Sequence, residues 1–403
     1  MRKFAEIRKS LYVALWFIFL TFPIMVIRIN PLEKTVEWRW MNMALVGIGT
    51  FFLSFLWRYL ISKKEEGSKR AEEKQNEKIS KLRRLIENRK IIAGSVVAGA
   101  LLAAVFPFVV SLYQTNIMTT ALIYVMLGLG LNIVVGLAGL LDLGYVAFYA
   151  VGAYAYALLN YHFGLNFWMV LPVGAALGAL FGILLGFPVL RLRGDYLAIV
   201  TLGFGEIIRL ILENWNEFSF GPSGISNISR PPLFGIELSV QNATVYMYYI
   251  MIFLCLVTIF IVKRLQDSRI GRAWVALRED EVACQAMGID RTKTKLTAFA
   301  LGATWAGMGG VVFAAKTTFV NPASFTIWES IIILCIVVLG GMGSVIGVIT
   351  GAFIIILLPE YLRVFSEFRM LMFGIILVVM MVFRPGGIIS GVRRTYKFEG
   401  KNF

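Results

Sequence analysis

The run Phe167-Trp-Met-Val-Leu-Pro-Val-Gly-Ala-Ala-Leu-Gly-Ala-Leu-Phe-Gly-Ile-Leu-Leu-Gly-Phe-Pro-Val-Leu190 carries no charged residue. The hydrocarbon core of a bilayer needs about 20 predominantly apolar residues per helix, and this run supplies them. It is continuous rather than alternating with period two, which excludes a barrel strand. Without water, backbone N–H and C=O groups must pair inside the segment, so the run is a transmembrane helix. Gly174, Gly178, Gly182 and Gly186 recur at every fourth position, on one face. Lipid gives no hydrophobic drive between helices, so close backbone approach over small residues supplies the contact energy. Gly302, Ala306, Gly310 and Gly343, Gly347, Gly351 repeat the spacing. Packing within one subunit is the simpler reading of these stripes, and a subunit interface is the alternative.

Similar runs recur outward in both directions. The chain has 403 residues, 58% of them hydrophobic and 16% charged, against roughly 25% charged in a soluble globule. The expected spans are 11–27, 43–61, 91–112, 117–141, 143–161, 167–190, 196–212, 245–262, 296–315, 328–339, 345–358 and 370–383. The fold class is thus an all-α polytopic membrane protein, with about ten core spans and two N-terminal ones. The short pair at 328–339 and 345–358 is split by Gly340-Gly-Met-Gly-Ser344 and fits half-helices. The expected organisation is a two-span extension over 1–62, a charged hinge over 63–90, a core over 91–390 and a basic tail over 391–403. Polar segments at 213–244, rich in Gly and Pro, and at 263–295 interrupt the core.

The charge distribution sets a direction. With the N-terminus in the cytoplasm and strict alternation, cytoplasmic segments hold four Lys/Arg at the start, eleven in the hinge, two at Arg191 and Arg193, eight in 263–295 and five after Phe383. External loops hold only Arg28, Lys34, Arg39, Arg230, Lys316, Arg363 and Arg369. Positive-inside bias therefore puts both termini in the cytoplasm, and it accounts for the net charge of +15 without nucleic acid. The basic start, with no small-residue cleavage site, reads as a retained anchor. Cys255, Cys284 and Cys335 form no disulfide framework and read as structural.

Several chemistries have no motif here. There is no G-x-x-x-x-G-K-[ST] phosphate loop, no His/Cys cluster for a metal and no G-x-S-x-G elbow. His162 is the lone histidine. No catalytic residue, metal site or cofactor is expected in this chain. Asp142 and Glu206 stand in apolar surroundings, where a carboxylate defaults to a functional role. Asp142 could instead sit in water at a helix end, and Glu206 could pair with Arg209, three residues on. Tyr145, Phe148, Tyr196 and Thr201 join them as candidates for lining a path. In the 263–295 loop, Gly271 to Gly288 reads as one amphipathic helix ending at a glycine cap. Trp274, Leu277, Cys284 and Met287 would share its apolar face. Its mixed, locally acidic polar face favours a protein partner over a lipid surface.

This loop resembles the cytoplasmic coupling loop of ATP-binding-cassette importer permeases, whose pattern is Glu-Ala-Ala…Gly. Ala283, Cys284 and Gly288 match it, and Glu281 stands one place before the position of the Glu. Gly128-Leu-Gly-Leu-Asn-Ile-Val-Val-Gly-Leu-Ala-Gly139, Gly144 to Tyr154, Phe187 to Gly203, Gly221-Pro-Ser-Gly-Ile225, Val338 to Ser344 and Arg384-Pro-Gly-Gly387 resemble the branched-chain amino acid permease family. The match spans roughly 117–390, and the N-terminal pair of spans is similar to that of the LivM-type subunit rather than the shorter LivH-type. The resemblance implies the importer permease fold, located in the bacterial inner membrane. It implies a homologous LivH-type permease, two cytoplasmic ATPase subunits that hold ATP and Mg, and an external binding protein delivering Leu, Ile or Val. Trp274, Leu277, Glu281, Ala283, Cys284 and Gly288 would then couple to the ATPase. A urea or short-amide importer is the first alternative. A stand-alone secondary transporter is the next; it would need paired broken helices and more buried carboxylates.

Overall fold

The computed structural model describes residues 103–361 apart from 191, 193 and 233–238, together with scattered positions within 11–54 and 371–389. The expected hinge at 63–90, the tail at 391–403, and most of the third and twelfth spans lie outside the described residues. Internal contacts divide the chain into two compact units, Met1–Ala100 and Leu101–Phe403. In the first, strands β1 (Ile27–Asn30) and β2 (Thr35–Trp38) form an antiparallel hairpin, with Ile27 opposite Trp38. Strand structure was not expected in that loop. Helical stretches there meet tightly: a Cβ on Gly47 would lie 2.8 Å from Ile18 Cδ1.

The second unit is a helical bundle. Helix α1 (Leu112–Leu131) starts five residues before the expected Ile117. The cause is a capping box, in which Ser111 accepts from the Gln114 N–H and Gln114 accepts from the Ser111 N–H, both at 3.4 Å. The helix then widens into a π-helical segment, Asn132–Leu137. Residues 138–144 are non-helical. Helices α2 (Tyr145–Phe163), α3 (Phe167–Val189) and α4 (Asp195–Asn214) follow. Helix α5 (Val240–Gln266) outruns the expected span at both ends. Two short helices, α6 (Arg269–Glu279) and α7 (Glu281–Ala286), lead to α8 (Arg291–Thr317). Helices α9 (Ile327–Gly340) and α10 (Val345–Tyr361) complete the described bundle.

Helix α8 is the core, packed on α3, α2 and α1. A Cβ on Gly152 would strike the Gly307 carbonyl, one on Gly307 the Gly174 carbonyl, and one on Gly178 the Ala303 carbonyl. The glycine stripes therefore clamp α2, α8 and α3 together inside one chain. Gly347 and Gly351 do the same for α10 against Gly340 and Ile336.

Among the described residues, five helical stretches are long and apolar enough to cross a membrane: 112–137, 167–189, 240–266, 291–317 and 322–340. Helix α9 has 14 residues, a rise of about 21 Å, and qualifies only with its leading turn Pro322–Ser324. Loops gather at two ends. At one, 138–144, Leu192, Gly194, 267–290 and 341–344 meet. At the other, β3 (Ile225–Ser226) pairs with β4 (Phe319–Val320), and the Tyr156 hydroxyl donates to the Ser229 carbonyl at 2.7 Å. Those segments expected on the cytoplasmic face that the structure describes thus share one end of the bundle.

Candidate functional site

The arm between α5 and α8 is two helices, not the single helix expected over 271–288. Asp280 breaks it: its carboxylate accepts from the N–H groups of Val282 and Ala283 at 2.8 and 3.0 Å, starting α7 with an extended residue. A side chain that caps a new helix cannot also continue the old one. Ser268 caps α6 by accepting from the Gly271 N–H. Gly288 has φ +82°, the left-handed conformation that closes α7.

Trp274, Leu277 and Cys284 are buried as one face, but Met287 is not among them, being 83% exposed. The break at Asp280 rotates it outward. The Trp274 indole donates to the Thr294 carbonyl at 3.0 Å. Arg278 donates to the Gly136 carbonyl in the π segment at 2.6 Å. Lys295 is buried against Glu281 and also donates to the Leu190 carbonyl at 3.3 Å. Gln266, at the end of α5, donates to the Gly343 carbonyl at 3.0 Å. Four of the six residues expected to couple, Trp274, Leu277, Glu281 and Cys284, thus face inward and hold the arm to the bundle, while Ala283 and Gly288 do not. The outward surface combines Val275, Val282, Ala283, Ala286, Met287 and Gly288 with the polar Arg272, Glu279, Asp280 and Gln285.

Asn132 joins the arm's footing to the second helix break. Its side-chain oxygen accepts from the Gly343 N–H at 2.8 Å, while its amide nitrogen is buried without a partner. Asp142 lies in the non-helical 138–144 connection with no exposed surface, not in water. One carboxylate oxygen accepts from the Gly144 N–H at 2.9 Å and the other has no partner. Burial pushes its carboxyl up to about 7, with the Gly144 hydrogen bond pulling the other way. Thr201 stands beside it, accepting from the Leu143 N–H at 3.0 Å. Tyr145 donates to the Gly302 carbonyl, and its ring meets Phe148 edge-on at 6.2 Å. Asp142, Tyr145, Phe148 and Thr201 therefore form one buried group.

The other two path candidates do not join it. Tyr196 is 73% exposed. Glu206 and Glu213 both pair with Arg209, at 2.9 and 2.6 Å, so Glu206 takes its expected local partner. Asn132, Arg278 and Lys295 were missed as site residues. An uncharged Asn in an apolar run and cations near a span end carry no periodic signal.

A helical polytopic bundle with a polar arm at one end and buried breaks behind it has the build of a membrane permease. The chain belongs to the family described as branched-chain amino acid transport system, permease component, which matches residues 113–383. It is 47% identical to the high-affinity branched-chain amino acid transport system permease protein LivM of Escherichia coli K12, over 75% of this chain and 76% of that protein. The same-named protein of Salmonella typhimurium is 48% identical, over 74% and 75%. The autoinducer 2 import system permease protein LsrC of Escherichia coli O9:H4 is 24% identical, over 54% of this chain and 65% of that one. No solved structure matches the chain.

Proposed function

We propose that this chain is the permease subunit of an ATP-driven importer and forms, with a homologous permease, the path for leucine, isoleucine and valine across the bacterial inner membrane. Both termini and the α6–α7 arm face the cytoplasm. Two separate ATPase subunits bind ATP and Mg and dock on the arm, and an external binding protein delivers the amino acid. This chain performs no covalent chemistry. The observation that carries the reading is the arm: polar contacts fix it to two elements of the bundle, α8 and the π segment, while Val282 and Met287 stay exposed at its tip. A rigid, side-chain-anchored arm with an apolar tip suits a docking partner better than free solvent. The 47% identity to a protein named for branched-chain amino acids, against 24% to one named for autoinducer 2, favours the amino-acid cargo.

The test is reconstitution with the homologous permease, the ATPases and the binding protein in liposomes. Leucine uptake should require ATP and the loaded binding protein. Val282→Glu with Met287→Glu should abolish ATPase co-purification while leaving the melting of this chain unchanged. Uptake by this chain alone without ATP would overturn the reading.

A further inference from the structure

A second polar constellation lies at the opposite end of the bundle from the arm. The first turns of α1 and α5 and the last turn of α8 enclose, with Arg230 and Pro231, a cavity of about 350 Å³. Lys316 and Arg230 both line it. Lys316 donates to the Thr120 hydroxyl, which in turn donates to the Asn116 carbonyl at 3.1 Å. Among the described residues, neither cation has a carboxylate partner and no Asp or Glu lines the cavity. The nearby Glu360 accepts from Tyr113. Cations held in a recess without a counter-ion are costly, and an anion relieves that cost. The remaining wall is split between small polar groups, such as Asn116 and Thr119, and apolar ones, such as Val240 and Met247.

We infer that this cavity is an entry site for the transported amino acid, with Lys316 and Arg230 receiving its α-carboxylate and the Val240–Met247 side receiving its aliphatic side chain. The inference rests on the proposed amino-acid cargo. A volume near 350 Å³ falls at the lower end of small-molecule sites, which suits a single amino acid. The apolar wall argues against a bare phosphate. A cation engaged by a neutral hydroxyl can accept a carboxylate without first breaking an ion pair, so capture and release are both fast. The location at the end expected to face outward sets the site before the buried Asp142–Tyr145–Phe148–Thr201 group on the way in.

The test uses the assembled transporter in phosphatidylcholine nanodiscs, with saturation-transfer NMR of three probes. Leucine carries both charges, 4-methylpentanoate keeps the carboxylate alone, and 3-methylbutylamine keeps the amine alone. Leucine and 4-methylpentanoate should bind and 3-methylbutylamine should not. Lys316→Met should weaken leucine binding about 10- to 100-fold, the worth of one charge-assisted hydrogen bond. Lys316→Arg should retain most of it. In liposomes Lys316→Met should lower leucine uptake while ATP hydrolysis stimulated by the binding protein persists, which separates a lost site from a lost assembly. Equal binding of the amine, or unchanged leucine binding in both Lys316→Met and Arg230→Met, overturns the inference. So does binding of anionic lipid at the cavity with no response to 4-methylpentanoate. If the wild-type complex takes up no leucine at all, the cargo reading itself has failed, and that result is distinct from any of these.

Discussion

Replacing Lys295 by Met removes one half of a buried ion pair. The Lys295 side chain is 4% exposed and that of Glu281 14%, so the variant leaves a carboxylate nearly out of water and the Leu190 carbonyl without its donor. Breaking a buried pair from one side costs about 3–5 kcal/mol. The small exposure of Glu281 lets some water reach it, so the lower end, about 3 kcal/mol, applies. For a unit of this size the melting temperature should fall by roughly 6–12 °C. Glu281→Leu alone strands the ammonium instead and should cost as much. The double variant Lys295→Met with Glu281→Leu leaves no buried charge, and such replacements are near neutral. It should recover to within a few degrees of the wild type. The assay is thermal melting of the assembled complex in one detergent at one scan rate, with ATPase stimulation followed in parallel. Recovered melting with lost stimulation would show that the pair transmits as well as anchors. Singles without effect, or a double variant as unstable as the two losses summed, would refute the anchoring argument.

Three further outcomes follow from the geometry. Gly152→Val drives a side chain into the Gly307 carbonyl between two backbones that cannot yield; no folded chain should be recovered by size exclusion, whereas Gly203→Ala, with open space around it, should behave as wild type. Burial raises the Asp142 carboxyl from an ordinary 3.8 to about 7, so the folded chain holds this proton more tightly than the unfolded one, and the stability this group contributes is fully present below pH 4 and is lost as pH rises to about 7. Melting from pH 5 to 8 should show that decline in the wild type, and Asp142→Asn should flatten it. Arg278→Met frees the Gly136 carbonyl from the arm; basal ATP hydrolysis should persist while its stimulation by the binding protein drops several-fold, and unchanged stimulation would remove Arg278 from the transmission path.

Much of the bundle was legible in the sequence because lipid leaves few options. Charge-free runs such as 167–190 can only be helices, and the four-residue glycine repeat already named the face that meets α8. What escaped was decided by pairs of local hydrogen bonds. The Ser111–Gln114 box fixed the start of α1, and the Asp280 cap cut the arm in two and turned Met287 outward. Neither changes hydrophobic periodicity. The widening at Asn132–Leu137 was hidden for the same reason, since a π segment keeps the composition of the helix around it. Within the candidate path, Tyr145, Phe148, Thr201 and Asp142 did assemble, because Asp142 lies in the break at 138–144, Tyr145 and Phe148 follow it in α2, and Thr201 of α4 accepts from the Leu143 N–H within it. Tyr196 and Glu206 lie on faces of α4 that only its three-dimensional orientation reveals.

Two of the arm's three grips on the bundle end on main-chain oxygens, Trp274 on Thr294 and Arg278 on Gly136, while the third joins the Glu281 and Lys295 side chains. Every residue type offers such an oxygen. The Thr294 grip is therefore indifferent to the side chain at that position, whereas the Glu281–Lys295 grip depends on both of its side chains, so the proposed linkage tolerates drift at the first point and not at the second.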